Sequence, residues 1–255
     1  WTSPAIHAAQ TVVANLSGAN PLIILDLDTG DRTALVTTNA SGGNDINSPV
    51  GVARDSDGTL LIGENGSMAQ LIRVNPYTGL HTVVAGPGIG TGDTLANIYG
   101  IAVETDGQIL VQSSNRILRI DPATGNRTVV ASSTVGTGDT LSIFGFMLDS
   151  NGDIIVPSSS KLLRIDPETG NRTVISSSLS TALVGTGPAL AATRGVVKLP
   201  DGDFAVLNGS STDYLVRVHP ATGNRTLISG STGGTGPTIG TRYCLSLGED
   251  GMIYV

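Results

Sequence analysis

RIDPATGNRTVV, residues 119–130, holds two short apolar runs apart by the segment Asp121-Pro122-Ala123-Thr124-Gly125. Proline presets φ at the first turn position, aspartate accepts from backbone N–H groups two residues on, and glycine takes the left-handed conformation that closes a short loop. The stretch therefore reads as strand, turn, strand, with RILRI (116–120) and RTVVA (127–131) as the strands. Near-copies follow at 164–175 (RIDPETGNRTVI) and 217–228 (RVHPATGNRTLI), and looser ones precede it at 73–84 (RVNPYTGLHTVV) and 24–36 (ILDLDTGDRTALV). The turn glycines Gly30, Gly79, Gly125, Gly170 and Gly223 are spaced by 49, 46, 45 and 53 residues.

A second hairpin signal alternates with the first: GVARDSDGTLLIG (51–63), GIAVETDGQILVQ (100–112), GFMLDSNGDIIVP (145–157), GVVKLPDGDFAVL (195–207) and CLSLGEDGMIYV (244–255). Asp-Gly or Asn-Gly between two apolar runs is the strongest short-range hairpin signal. Two hairpins make one unit of strands A, B, C and D, and the period matches one four-stranded propeller blade. Strand A opens on small residues (Gly51, Ala53, Gly100, Ala102, Gly195), as suits the innermost strand, where sheets converge. The linkers from D to the next A carry GTGDTLANIYG (90–100), GTGDTLSIFG (136–145), GTGPALAATRG (185–195) and GTGPTIGTRY (234–243), and no helical periodicity occurs.

The expected fold is an all-β β-propeller of four-stranded antiparallel blades, one domain over 1–255. Five whole units are expected at about 1–37, 48–85, 98–131, 143–176 and 193–229, with a partial unit at 241–255. The preferred closure is six-bladed with an incomplete last blade. The alternatives are a five-bladed ring with 244–255 set against 21–27, or a piece of a longer propeller.

A formal charge of −7 and a pI near 4.8 argue against nucleic acid and anionic lipid, which reward a basic surface. No apolar run approaches the length of a membrane helix, so membrane insertion is not expected. Cys244 is the single cysteine, which excludes an intrachain disulfide and C-x-x-C metal spacing. Starting at Trp1, the chain reads as a mature or trimmed product, and its Gly, Ser and Thr content with two lysines suits an extracellular or cell-surface β protein.

The run GIAVETDGQILVQSSNRILRIDPATG resembles the repeats of NHL, gluconolactonase-like and streptogramin-lyase-like propellers, over nearly the whole chain. That resemblance implies metal ligands or acid–base groups at the channel mouth, at the ends of inner strands. The slot just past strand B holds Asn15, Glu64, Ser113, Ser158 and Asn208. Glu64, Asn15 and Asn208 offer the oxygen donors that calcium prefers, so Ca2+ is the candidate cofactor, with Ser113, Ser158 and His7 as candidate binding residues. No counterpart of the His and Glu pair of a streptogramin-lyase-like mechanism is visible. The second carboxylate that a gluconolactonase-like site wants is replaced by serine.

Eight of the arginines (Arg32, Arg73, Arg119, Arg127, Arg164, Arg172, Arg217, Arg225) hold fixed blade positions, which suggests pairing with turn aspartates or capping of carbonyls. His7, His81 and His219 lie in three different slots and form no relay. Glycosylation sequons stand at Asn15, Asn39, Asn65, Asn126, Asn171, Asn208 and Asn224, and three of them come with the repeated turn. The preferred functional reading is a non-catalytic extracellular scaffold or interaction module with protein or self-association partners. The apolar edge Met252, Ile253, Tyr254 and Val255 is its candidate interface. The alternative is a metal-dependent hydrolase or lyase, and a third reading is a repeated site for a small molecule or glycan.

Overall fold

The computed structural model describes residues 10–14, 22–26, 29–36, 46–209, 214–230, 233, 234, 245–247 and 252–254. All regular structure among them is β. The chain divides into two compact units, Trp1–Val129 and Val130–Val255, with the division falling inside one strand.

In the first unit, β1 (Gln10–Ala14), β2 (Leu22–Asp26) and β3 (Arg32–Val36) form a three-stranded sheet. Next comes a four-stranded antiparallel sheet of β4 (Pro49–Arg54), β5 (Leu60–Glu64), β6 (Leu71–Val74) and β7 (His81–Ala85). The third sheet runs β8 (Ile101–Val103), β9 (Ile109–Ser113), β10 (Arg116–Ile120) and β11 (Arg127–Ala131), the last being the strand that carries the division. The second unit holds β12 (Met147–Leu148), β13 (Ile154–Ser158), β14 (Lys161–Ile165) and β15 (Arg172–Ser177). Its other sheets are β16 (Thr193–Lys198), β17 (Phe204–Asn208), β18 (Tyr214–Val218) and β19 (Arg225–Ser229), then the pair β20 (Ser246–Leu247) and β21 (Ile253–Tyr254). Every sheet follows chain order, so hairpins alone build it, as the alternating Asp-Gly and T-G turns predict.

Four sheets are thus complete four-stranded blades. The first sheet shows three strands among the described residues, and the strand A expected for that unit at 3–8 lies outside them. A blade count of six or five is not supported.

The T-G turn forms as its chemistry dictates. The Asp121 carboxylate accepts from the Ala123 N–H at 2.9 Å and from the Thr124 hydroxyl at 2.8 Å, and Gly125 closes the loop at φ 72°. These bonds hold the Asp121 carboxyl below the ordinary carboxylate range, the Ala123 N–H contributing most. Asp166 is lowered in the same way by the Glu168 N–H and the Thr169 hydroxyl.

A blade cannot bury both of its faces alone, so its apolar residues interleave with those of the next blade. In the first unit, Leu61, Leu71 and Val84 pack with Ile109, Val111 and Leu118 of the following sheet. In the second, Ile155, Leu162 and Ile175 pack with Phe204, Val206 and Val216. The second strand of each complete blade (β5, β9, β13, β17) is buried at every position, which explains runs such as LLI and IIV in place of clean alternation. Small residues permit the convergence at strand A: a Cβ on Gly51 would lie 2.5 Å from the Ile98 carbonyl oxygen.

Candidate functional site

The slot just past strand B is where the sequence places its candidate ligands, and four of its members are described. Glu64, Ser113, Ser158 and Asn208 end β5, β9, β13 and β17, and all four are buried. Each turns its side chain to the backbone of the linker that enters its own blade. Glu64 Oε1 accepts from the Asn47 N–H at 2.9 Å, and Ser113 Oγ from the Ala96 N–H at 3.0 Å. Ser158 Oγ accepts from the Ser142 N–H at 2.9 Å, and Asn208 Oδ1 from the Ala191 N–H at 3.2 Å. Asn208 also donates from Nδ2 to the Ala189 carbonyl at 3.0 Å. One position thus does one job in four blades, with three residue types that share an acceptor oxygen. A buried backbone N–H left without a partner is costly, which is reason enough for a polar residue there.

The expected metal and binding set is described only in part. Asn15 and His7 lie outside the described residues, and Glu64 and Asn208 belong to different compact units. Among the described residues, no three His, Cys, Asp or Glu side chains gather as a metal site.

At the expected interface, β21 pairs with β20, and Ile253 packs on a cluster with Leu199, Ala205, Leu207 and Leu215. Met252 is 60% exposed, whereas the Tyr254 side chain and Val255 lie outside the described residues.

Both roles foreseen for the arginines occur. Strand C arginines pair with acids of the A–B hairpin in their own blade: Arg73 with Asp55 at 2.7 Å, Arg119 with Glu104 at 2.6 Å, Arg164 with Asp153 at 3.3 Å and Arg217 with Asp201 at 2.9 Å. The arginines after the T-G turn cap carbonyls instead. Arg127 Nη1 donates to the carbonyls of Ile89 and Gly125, Arg172 to Val135 and Gly170, and Arg225 to Val184 and Gly223. Burial lowers the pKa of Arg127 and Arg225 from the ordinary arginine value. His81 occupies the same position in its own blade, with Nδ1 3.1 Å from the Gly79 carbonyl oxygen.

Sequence reasoning missed the partner of the sequon asparagines. Thr91 donates from its backbone N–H and its hydroxyl to Asn126 Oδ1, Thr137 does the same to Asn171, and Thr186 to Asn224. The backbone returns the contact, since the N–H groups of Arg127, Arg172 and Arg225 donate to the carbonyls of those threonines at 2.7–2.8 Å. The Gly-Thr-Gly linker and the T-G-N-R-T turn are two halves of one latch. Glycine is required in both: a Cβ on Gly90, Gly136 or Gly185 would run into the carbonyl of Gly125, Gly170 or Gly223. The co-occurrence of the two motifs in three units was the available signal.

An open depression of about 240 Å³ in the first unit is lined by Met68, Pro87, Leu95 and Arg127, among others. It is smaller than an ordinary ligand pocket, and the Arg127 guanidinium on its wall already caps the Ile89 and Gly125 carbonyls.

No protein-family model and no curated protein matches this chain. Solved structures do. A protein of unknown function from Bacteroides thetaiotaomicron is similar at TM-score 0.65 and 13% identity, over 95% of this chain and 62% of its own. An auxiliary nutrient-binding protein from Bacteroides ovatus gives 0.61 and 13% identity, over 90% and 60%. A chain of the nidogen/laminin complex gives 0.59 and 14% identity, over 82% and 70%. The chain therefore spans less than two thirds of the first two. Such neighbours are β-propeller-like, and at this identity they establish the fold alone.

Proposed function

We propose that this chain is a non-catalytic β-propeller that serves as a scaffold or interaction module outside the cell. One observation carries the reading. In four blades the slot past strand B, where a propeller enzyme would hold its metal or acid–base groups, hydrogen-bonds the linker backbone of its own blade. Similarity to a chain of the nidogen/laminin complex and to an auxiliary nutrient-binding protein supports a binding role. The exposed Met252 and the β21 edge are the surface we assign to protein or self-association.

The metal-dependent hydrolase or lyase reading keeps one supporting feature. Glu64 is the single carboxylate in the slot, and a carboxylate that takes one bond on Oε1 retains lone pairs for a hard cation. Calorimetric titration with calcium chloride, alongside thermal unfolding with and without chelator, separates the two. The interaction-module reading expects no binding heat and an unchanged melting temperature. A saturable heat that Glu64→Ala abolishes, with a calcium-dependent rise in melting temperature, would move the assignment to the enzyme class.

A further inference from the structure

Each latch fixes the direction of an asparagine side chain. A backbone N–H can only donate, so the N–H groups of Thr91, Thr137 and Thr186 hold the carboxamide oxygen of Asn126, Asn171 and Asn224 against the strap. The amide nitrogen Nδ2 is thereby turned away from it. In all three, Nδ2 makes no hydrogen bond among the described residues, and the asparagine is exposed.

Two residues on stand Thr128, Thr173 and Thr226, the hydroxyl residues of the Asn-Arg-Thr sequons. They are exposed on β11, β15 and β19, and their hydroxyls also make no hydrogen bond among the described residues. Both groups that a sequon offers to a glycosyl transferase are thus free at each turn. Asn208 is the opposite case. It is 0% exposed, its Oδ1 accepts from the Ala191 N–H, and its Nδ2 donates to the Ala189 carbonyl. Asn65 is exposed, but it accepts from the Tyr99 hydroxyl instead of a strap and is not a latch residue.

We infer that Asn126, Asn171 and Asn224 are acceptor sites for N-linked oligosaccharide, and that Asn208 is closed to it in the folded chain. The co-reactant is a polyprenyl-diphosphate oligosaccharide. Nδ2 bonds to the anomeric carbon of the first sugar while that carbon's bond to the diphosphate oxygen breaks. The diphosphate leaves with the electron pair, and one Nδ2 proton passes to a base of the transferase. Oδ1 is untouched, so both hydrogen bonds from the strap threonine persist and the sugar extends from an exposed turn into solvent. At Asn208 the same bond would set a sugar inside a buried site. The inference rests on the reading of this chain as a module outside the cell.

The test is to pass the full chain through the secretory pathway of cultured animal cells. Its peptides are then mapped by mass spectrometry before and after peptide N-glycosidase. Carbohydrate is expected at Asn126, Asn171 and Asn224 and not at Asn208. Thr128→Val, Thr173→Val and Thr226→Val should each lose one glycan, whereas Thr128→Ser keeps it. The asparagine and its latch remain in these variants, so they should melt with the wild type. Asn126→Asp should lose its glycan while keeping the strap acceptor. Three bare turn asparagines in translocated protein, secreted or retained, overturn the inference. Carbohydrate on Asn208 in folded, secreted protein overturns it too. So does a glycosylated chain that melts below the unmodified one, since the sugar would then be forcing the latch open. Calcium-dependent catalysis would remove the interaction-module reading without altering the glycan map, and bare sites would leave that reading standing.

Discussion

Asn126 Oδ1 accepts two hydrogen bonds from one residue, Thr91, at 2.8 Å from its backbone N–H and 2.9 Å from its hydroxyl. The pair lies 35 residues apart in sequence and joins the linker entering a blade to that blade's own outer hairpin. Asn171 with Thr137 and Asn224 with Thr186 repeat it, so the latch is a property of the repeat.

Removing the acceptor should therefore cost stability at an exposed position, where substitutions are usually neutral. Asn126→Ala, Asn171→Ala and Asn224→Ala each leave a strap N–H and a hydroxyl without their partner, a loss of about 1–3 kcal/mol. Urea unfolding should show it. Asn→Asp at the same sites keeps the acceptor oxygen and should lose less.

Glycines with the same positive φ should respond differently to one added methyl group. Gly107 (φ 86°) faces open space, so Gly107→Ala should cost about 1–2 kcal/mol from the left-handed backbone alone. Gly136 (φ 76°) meets the Gly170 carbonyl, and Gly136→Ala must also push the latch apart. Paired melting curves should rank Gly136→Ala well below Gly107→Ala, and equal losses would show that the latch yields freely.

The slot past strand B should behave as structure. Asn208→Ala removes bonds to the Ala191 N–H and the Ala189 carbonyl from a fully buried site, with an expected cost of about 2–3 kcal/mol. Glu64→Gln keeps an acceptor for the Asn47 N–H and should unfold near the wild-type midpoint. A large loss at Glu64→Gln would mean that the charge itself matters there.

Acid should act through Asp149. Burial opposes its charge, but hydrogen bonds from Lys198 and from the Ser150 N–H outweigh burial and set its pKa below the ordinary value of 3.8. A depressed folded pKa stabilises above the unfolded pKa, and that stability is lost as pH falls through the folded one. The melting temperature should thus decline below about pH 4. Asp149→Asn should lower it at neutral pH and make the acid decline shallower, as a pH series of thermal scans would record.

Repetition in the sequence determined the local architecture. D-P-x-T-G and Asp-Gly fix turns through the φ of proline, the acceptor oxygen of aspartate and the left-handed glycine, so strand pairs and their chain-order sheets were legible before any coordinates. The two arginine roles were also legible, because a charge at constant blade phase meets the same neighbour each time. The latch was not. Thr91 and Asn126 are each ordinary loop residues, and only packing of the linker against the outer hairpin brings oxygen to N–H.

The meaning of the slot past strand B was likewise a tertiary matter. Glu64, Ser113, Ser158 and Asn208 look like ligands in a sequence, since oxygen-bearing residues at a strand end suit a cation as well as a backbone amide. Which of the two an oxygen faces depends on where the linker runs. In each complete blade that path sets a linker N–H against the slot oxygen. Local chemistry chose the hairpins, and the burial of each blade's linker against its own strand end decided what the polar residues do.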